Sequence, residues 1–379
     1  MTDIENIALS EFWHIQEQIY DDSSSIFLKM MHHYAKSSSS HFSNPLEINL
    51  DITNKCMQKC THCFASSRRG SLNIPLSVID QVIDAKPAVV VLSGGEPFLN
   101  PEIFYIVKKL KSAGIIVKIL SNGTLITSQI IENLISSGLD SHDLIQISLD
   151  AASPSTYAIF RGVNQFNDCM RGARLVSESP IPLKIHSVIT NTNLSEVLDI
   201  LELAISLNAD FYSGGSLAPI GSAKISDLVD PLKLITLENK VYHRCEYSNT
   251  KYCGGISGEL CHCLSAQIPY KDHPRITACT SFQCNATTIS CYIDASGNFY
   301  PCIFAVNSNL MFGNLKTHSV NACWELLQKS SFCHMKYSSS SCEKCEWLGL
   351  CNGGCPGIGY EWSKKLGAGT DPRCYRYFN

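Results

Sequence analysis

The sequence predicts an α/β fold, in which a partial (β/α)6 TIM-like barrel is followed by a small, loop-rich domain. Strand-like and helix-like patterns alternate through the first half of the chain, and its 379 residues are enough for a large core. A third observation is the 19 cysteines, many of them crowded into short segments near the C-terminus. Near-continuous apolar strands that alternate with helices are typical of a parallel sheet covered on both faces.

Six apolar runs are predicted to be the barrel strands, and five amphipathic segments the helices between them. Gly114 and Gly138 stand where two of these helices are expected to end, since glycine readily adopts the backbone that closes a helix. The strands are predicted at residues 46–53, 88–93, 115–120, 144–149, 183–189 and 210–213, and the helices at residues 76–85, 102–113, 128–137, 166–177 and 195–207.

The pattern divides the chain into four segments. Residues 1–45 are expected to hold a helical segment and a Ser-rich linker, and residues 46–220 the barrel. Residues 221–278 form a bridge rich in Cys and Gly, and residues 279–379 the small C-terminal domain. For the first segment, a helix packed on the barrel is favoured over a separate recognition domain, because the segment is short.

Composition indicates a cytoplasmic protein that binds neither nucleic acid nor membranes. The net charge is −4 with 30 basic residues, so no phosphate-tracking surface is indicated. No apolar run approaches the roughly 20 residues that a membrane helix needs, and the acidic N-terminus does not resemble a signal peptide. An odd number of cysteines without a secretion signal favours metal ligation in a reducing compartment over disulfides.

The most informative motif is Cys56-x3-Cys60-x2-Cys63, directly after the first predicted strand. It offers three thiolates to one site, whereas an iron–sulfur cluster normally takes four. Three protein ligands on a four-iron cluster leave one iron open for chemistry. A zinc site is the alternative, but zinc sites usually pair two Cys-x2-Cys units and no second unit lies nearby.

The triplet resembles the signature of radical S-adenosylmethionine (SAM) enzymes, and later motifs follow in the order typical of that family. These motifs are the segment from Ser93 to Pro97, which contains Gly-Gly-Glu, the segments 121–124 and 148–150 at two strand ends, and Arg161-Gly162. In a barrel of this kind, functional groups cluster at the carboxyl ends of the strands. The residues predicted there are Cys56–Cys63, Gly94–Glu96, Ser121–Asn122, Ser148–Asp150 and Thr190–Asn191. The resemblance covers roughly residues 46–220.

The resemblance implies that Cys56, Cys60 and Cys63 hold a [4Fe–4S] cluster whose fourth iron binds SAM. The reduced cluster would cleave SAM to a 5′-deoxyadenosyl radical, which abstracts hydrogen from a substrate. An external electron donor such as a flavodoxin or ferredoxin is then required. The SAM contacts implied are Gly94, Gly95 and Glu96 at the amino group, Ser148 and Arg161 at the carboxylate, and Asn122 at the ribose.

The C-terminal cysteines resemble a SPASM domain, an auxiliary iron–sulfur module found on radical SAM barrels. Two complete [4Fe–4S] clusters would bring the total to three. Zinc is the alternative on ligand type alone, and Cys291 competes with Cys279 for one position. By analogy, Cys279, Cys284, Cys302 and Cys355 hold the first auxiliary cluster, and Cys342, Cys345, Cys351 and Cys374 the second.

The resemblance predicts an enzyme that oxidatively modifies a peptide or protein, for example by thioether or carbon–carbon crosslinking of a ribosomally made peptide. Alternatives are a maker of a haem or quinone cofactor, a sulfatase maturase, a peptide epimerase and, remotely, a non-enzymatic electron carrier. No catalytic acid, base or hydrogen donor can be assigned. The cysteines of the bridge could be buried thiols, a redox pair or a hydrogen donor: Cys245, Cys253, Cys261 and Cys263.

Overall fold

A computed structural model describes residues 42–253, 255, 286, 288–332, 340–345, 353–365 and 371–374. The predicted N-terminal helix and most of the Ser-rich linker lie outside the described residues, as do residues 254 and 256–278 of the bridge. The assignment of four domains stays a prediction. No helix in the described ranges is both long and apolar enough to cross a membrane.

Six parallel strands form the barrel, as predicted, and each is hydrogen-bonded to the next in chain order. Helices on the outside connect them. The strands are β1 (Glu47–Thr53), β2 (Val89–Gly94), β3 (Ile116–Ser121), β4 (Leu144–Ser148), β5 (Leu183–Ile189) and β6 (Phe211–Ser216). The helices are α1 (Leu76–Asp84), α2 (Ile103–Ser112), α3 (Ser128–Ser136), α4 (Pro154–Arg161), α5 (Phe166–Ser177) and α6 (Val197–Ser206).

Helix α4 and the 16-residue helix α7 (Pro231–Glu246) were not predicted. Both carry good start signals: Ser153 caps α4 and Asp230 caps α7, each followed by Pro at the first helical position. Their apolar stripes are weak, which hid them from the periodicity argument. The expected helix ends at Gly114 and Gly138 are confirmed, since both glycines have positive φ.

The sheet does not stop at six strands. Strand β7 (Lys251–Tyr252) pairs with β6, and β8 (Ser290–Ile293) pairs in parallel with β1. Strands β9 (Asn298–Tyr300) and β10 (Gly313–Asn314) continue from β8, so the C-terminal segment extends the barrel sheet. Helices α8 (Val320–Gln328), α9 (Ser340–Glu343) and α10 (Pro356–Ser363) complete the described part.

Alternation along the strands separates the outer core from the lumen of the barrel. In β5, Ile185 and Ser187 are buried toward the helices, whereas Lys184 and His186 are half-buried on the opposite face. Lumen residues also meet over β2, where Lys118 of β3 lies 3.3 Å from the carboxylate of Glu47 in β1. The lumen is therefore partly polar.

Candidate active site

The cysteine loop, residues 54–63, begins where β1 ends and lies directly on the Gly-Gly pair that ends β2. The amide of Gly95 donates to the Thr53 carbonyl and that of Glu96 to the Lys55 carbonyl, each at 2.8 Å. A Cβ on Gly94 would stand 2.0 Å from the Thr53 oxygen, and one on Gly95 1.9 Å from the Lys55 oxygen. Only glycine permits this approach. The two glycines thus fix the start of the cysteine loop, a role that the sequence did not indicate.

The three cysteines share this short loop. Cys60 is buried, and Cys56 and Cys63 are partly exposed. Burial raises the pKa of the Cys56 and Cys60 thiols, and proximity to Arg161 partly offsets this at Cys60. One guanidinium nitrogen of Arg161 lies 3.6 Å from Cys60 Sγ. A thiolate at Cys60 therefore has a cation beside it before any metal is considered.

The donor set of the cysteine loop fits an iron–sulfur cluster, because Cys thiolates are the usual ligands of such clusters. Within the described ranges, no group of three or more Cys, His, Asp or Glu side chains is arranged to hold a single metal ion. When bound there, a four-iron cluster supplies the electron that cleaves SAM, and Cys56, Cys60 and Cys63 are the residues that would hold it.

Glu96 joins the carboxyl ends of β2 and β3. Its side chain is fully buried and accepts hydrogen bonds from the Ser121 hydroxyl and the Asn122 amide, both at 2.8 Å, and from the Phe98 amide at 3.3 Å. Burial raises the pKa of Glu96 to about 7, although these hydrogen bonds act in the opposite direction. The carboxyl group is thus already held by the protein. Its contact with the amino group of SAM stays a prediction.

Asn122, the residue expected at the ribose, shapes the turn after β3. Its side-chain oxygen accepts from the amide of Thr124 at 2.9 Å and from the Thr124 hydroxyl at 2.8 Å. Its side-chain nitrogen lies 3.3 Å from the sulfur of Met57. The side chain therefore links this turn to the cysteine loop, and its assignment to the ribose stays a prediction.

Arg161 lies in a buried ion pair at the end of α4. It is 2.5 Å from Asp150 and donates to the Ser148 carbonyl at 2.8 Å. Burial alone would raise the pKa of Asp150, but Arg161, together with His62 and the Val188 amide, holds that pKa below its usual range. Arg161 Nε is buried without a hydrogen-bond partner among the described residues. Arg161 and the Ser148 carbonyl thus come together, and the assignment of Ser148 and Arg161 to the SAM carboxylate stays a prediction.

His62 extends this network from the cysteine loop. Its Nε2 lies 3.3 Å from Asp150, its ring packs on Phe160, and its Nδ1 is buried without a partner in the described part of the chain. Burial lowers the pKa of His62 to about 4. Two orphaned nitrogens, His62 Nδ1 and Arg161 Nε, thus lie near the three cysteines, as would be expected if a polar ligand completed the site.

Sequence reasoning missed His186, which lies opposite Ser148 in the β4–β5 ladder. Its Nδ1 is 2.8 Å from the Ser213 hydroxyl of β6. A Cβ on Gly215 would lie 3.5 Å from its Nε2, so the glycine leaves that edge of the ring uncovered. Burial lowers the pKa of His186 to about 4 and keeps the ring neutral. Strand parity could have placed it in the lumen, because it lies two residues from Lys184 on the same face.

Of the predicted auxiliary ligands, five are described: Cys302 after β9, Cys342 and Cys345 in and after α9, Cys355 at the start of α10, and Cys374 near the C-terminus. Cys279, Cys284 and Cys351 lie outside the described residues. The bridge cysteines Cys261 and Cys263 also lie outside them.

Cys291 faces the apolar core and not the lumen. It is fully buried in β8, opposite Ile48 of β1, and belongs to the same core cluster as Cys323. Burial raises the pKa of its thiol well above the usual value. This is the buried strand thiol that alternation predicts, and its setting favours Cys279 as the cluster ligand.

The auxiliary segment meets the barrel at its carboxyl end. Cys355 packs with Ala218 in the loop after β6. The Phe304 ring meets the ring of Phe64, next to Cys63, edge to face, with the two ring centroids 5.7 Å apart. Arg373 donates to the Ser216 hydroxyl at 3.1 Å. The predicted auxiliary ligand Cys355 thus lies beside the mouth of the barrel, at the end that carries the three cysteines.

A second contact joins the two parts through β1 and β8. Asp51 accepts from the Ser93 hydroxyl at 2.9 Å and, on its other oxygen, from the Tyr292 hydroxyl. Arg68 lies 3.8 Å from Asp51 and over the Tyr292 ring. Burial raises the pKa of Asp51, although Arg68 opposes this effect. The side chains hold the auxiliary hairpin in register with the strand that delivers the cysteines.

A parallel partial barrel that brings three cysteines and a Gly-Gly-Glu segment together at one end defines a radical SAM protein. The chain belongs to the radical SAM superfamily, whose family model matches residues 50–204. It is a radical SAM enzyme that also carries a SPASM domain, since the model of that iron–sulfur cluster-binding domain matches residues 284–346. SAM and iron–sulfur clusters are therefore its cofactors.

Known proteins resemble the chain over most of its length. The AdoMet-dependent heme synthase of Methanosarcina barkeri is 27% identical over 295 residues, covering 74% of this chain and 82% of that protein. The mycofactocin maturase MftC of Mycolicibacterium smegmatis is 25% identical over 337 residues, covering 87% and 82%. Streptococcus suis SuiB, solved with its precursor peptide SuiA, shares the fold with a TM-score of 0.73 at 20% identity, covering 90% and 79%.

Proposed function

We propose that this enzyme uses radical SAM chemistry in the cytoplasm to oxidise a ribosomally made peptide, forming a thioether or carbon–carbon crosslink. The observation that carries the proposal is the position of Cys355 against the loop after β6, at the end of the barrel that holds the cysteine loop. An auxiliary cluster there would be placed to accept an electron from a substrate radical. Peptide maturases among the relatives support the substrate class.

The proposal includes three [4Fe–4S] clusters. Cys56, Cys60 and Cys63 hold the SAM-binding cluster, and four thiolates hold each of the other two. Neither auxiliary cluster then has an iron free for substrate, which favours electron transfer as their role. Gly94, Gly95, Glu96, Asn122, Ser148 and Arg161 are proposed as the SAM contacts, and a flavodoxin or ferredoxin as the electron donor.

The experiment compares the wild type with Cys56→Ala/Cys60→Ala/Cys63→Ala after anaerobic reconstitution. Wild type is expected to bind about twelve irons and the triple variant about eight, with no 5′-deoxyadenosine formed by the variant. Cys291→Ala is the matched control and is expected to keep full iron, because its thiol lies in the core. Iron near four in the wild type, with zinc filling the rest, contradicts the auxiliary assignment.

Product mass tests the reaction itself. Short peptides encoded beside the gene are co-expressed with the enzyme, and a loss of two hydrogens per turnover is the expected change. An unchanged mass with one solvent deuterium at a backbone carbon would instead identify an epimerase. Haem synthesis is the second candidate, favoured by the match to the heme synthase over 74% of the chain. Conversion of an iron-tetrapyrrole precursor, with no peptide changed, would establish it.

A further inference from the structure

Backbone hydrogen bonds hold the end of helix α4 against the cysteine loop on both sides of Cys60. The Lys59 amide donates to the Arg161 carbonyl at 3.0 Å, and the Thr61 amide donates to the Phe160 carbonyl at 2.9 Å. Both donors adjoin Cys60 in the chain, so these bonds fix the backbone of Arg161 relative to the cysteine that its side chain contacts.

The Arg161 side chain is itself held in one orientation. One terminal guanidinium nitrogen lies 3.6 Å from Cys60 Sγ, and the other donates to the Ser148 carbonyl at 2.8 Å and lies 2.5 Å from Asp150. The guanidinium carbon lies 5.9 Å from the centroid of the Tyr157 ring. Arg161 is 5% exposed, and burial limits the screening of its charge by solvent.

An oriented guanidinium at a ligand sulfur affects how readily an iron–sulfur cluster is reduced. Reduction adds one negative charge to the cluster and its thiolates. A hydrogen-bond donor or a cation at a ligand sulfur stabilises that charge and raises the reduction potential, whereas a nearby anion lowers it. A guanidinium supplies both favourable effects, because it donates hydrogen bonds and stays charged. Arg161 and Asp150 are therefore expected to act on the potential in opposite directions.

We propose that Arg161 raises the reduction potential of the SAM-binding cluster through its contact with Cys60, and that Asp150 limits this effect. The inference deepens the proposed function and rests on it, because it takes Cys60 to be a ligand of that cluster. One electron leaves an external reductant and enters the cluster, with no bond made or broken. The contact does not use Arg161 Nε, which has no partner among the described residues and remains available to the SAM carboxylate.

The test is a redox titration of the reconstituted enzyme, without SAM or peptide, followed by electron paramagnetic resonance. In parallel samples, the signal of the SAM-binding cluster is the one that changes when SAM is added and that Cys56→Ala/Cys60→Ala/Cys63→Ala lacks. Arg161→Met is expected to lower the equilibrium constant for one-electron reduction of this cluster at least tenfold, a fall of about 59 mV in its midpoint. In the control Arg244→Met, which removes a guanidinium paired with Glu202 of α6, the constant should stay within about twofold.

Asp150→Asn provides a second measurement with the opposite sign. It removes the anion beside Arg161 and keeps the size of the side chain, so the reduction constant is expected to rise at least about threefold. Arg161→Met/Asp150→Asn leaves neither charge buried alone, and its constant should lie between those of the two single variants. Loosening of the site would instead admit water and shift all three variants in the same direction.

A reduction constant in Arg161→Met within twofold of the wild type, or shifts of the same sign in Arg161→Met and Asp150→Asn, overturns the proposal. If Arg161→Met does not retain the cluster, the double variant replaces it, and a constant at or above that of Asp150→Asn overturns the proposal. Persistence of the SAM-responsive signal in the triple cysteine variant overturns the ligand assignment and this proposal with it. Failure to modify any peptide overturns only the proposed function, because the titration is made without peptide.

Discussion

At the scale of single residues, the site depends on groups whose charge state the fold controls. His186 is the clearest of these groups that lies away from the cysteines. Its imidazole is hydrogen-bonded to Ser213 in the lumen, and burial lowers its pKa to about 4 from an ordinary value of 6.5. Lys184 and Arg161 act in the same direction, as does His62 to a lesser degree, while Asp150 opposes them. The fold therefore requires the neutral ring.

This requirement predicts a contribution of His186 to acid sensitivity. The unfolded chain takes up a proton near pH 6.5, whereas the folded chain resists until about pH 4, so stability is full above pH 6.5 and is lost as pH falls toward 4. The loss attributable to this residue is up to about 3 kcal/mol. His186→Gln should flatten the decline in the urea midpoint between pH 7 and pH 5.

His243→Gln is the matched control for that comparison. The His243 imidazole also makes a hydrogen bond through Nδ1, to Glu246 at 2.9 Å, but it lies on the exposed side of α7. In His243→Gln, the urea midpoint should fall between pH 7 and pH 5 as steeply as it does in the wild type. If His186→Gln also declines as steeply as the wild type, then His186 is not the group whose protonation is being resisted.

At the scale of elements, sequence predicted the strands well because their signal is local. Apolar runs, strand ends and the glycines after helices are read from neighbouring residues, so the six barrel strands and the positions of Cys56 and Gly94 at their carboxyl ends followed. The pairing of β8 with β1 is different, because it joins Ile48 to Cys291 across more than 240 residues. Periodicity fixes which face of a strand is buried but not which strand is its neighbour.

A buried ion pair near α10 is another contact that local sequence patterns could not predict. Asp371 and Arg373 form a buried ion pair, and Asp371 also accepts from the amide of Cys355 at 2.9 Å. Burial alone would raise the pKa of Asp371, but Arg373 holds it below its usual range. A pair two residues apart in a loop carries no periodic signal. Its role in positioning the start of α10 emerges only when the fold brings residues 355 and 371 together.

We expect Arg373→Met to weaken this junction, because it leaves the Asp371 carboxylate buried without its cation. Breaking a buried pair in this way typically costs 3–5 kcal/mol. The expected result is a loss of about four irons per chain, with the SAM-binding cluster retained, seen by iron analysis and electron paramagnetic resonance.

Lys364→Met is the control. It removes a cation from an exposed pair with Glu361 and should lower the free energy of unfolding by less than about 1 kcal/mol. Full iron in Arg373→Met would show that the pair does not support the auxiliary site.

At the scale of the whole molecule, the barrel and the auxiliary segment share one sheet and one core. Phe299 of β9 and Trp324 of α8 belong to the same apolar cluster as Ile48 and Leu50 of β1. The indole nitrogen of Trp324 also donates to the carbonyl of Phe42 at 2.7 Å, so the chain entering β1 is tied to α8. The sequence suggested a barrel and a separate C-terminal domain, because cysteines become much more frequent along the chain after the barrel. Core packing, however, continues past that point.

A chain that ends at residue 253 should therefore fail to fold on its own. Removing β8 to β10 and α8 uncovers the edge of β1, which is otherwise hydrogen-bonded on both sides, and exposes apolar core surface. Exposed edges of this kind promote aggregation. Fragment 1–253 is expected to be insoluble or to elute as large aggregates on gel filtration, whereas co-expression with fragment 254–379 should restore a soluble complex because it supplies β8 in trans. A monomeric fragment 1–253 that unfolds cooperatively would show instead that the barrel is an independent domain. The shared core would then serve only to hold the auxiliary cysteines at the barrel mouth.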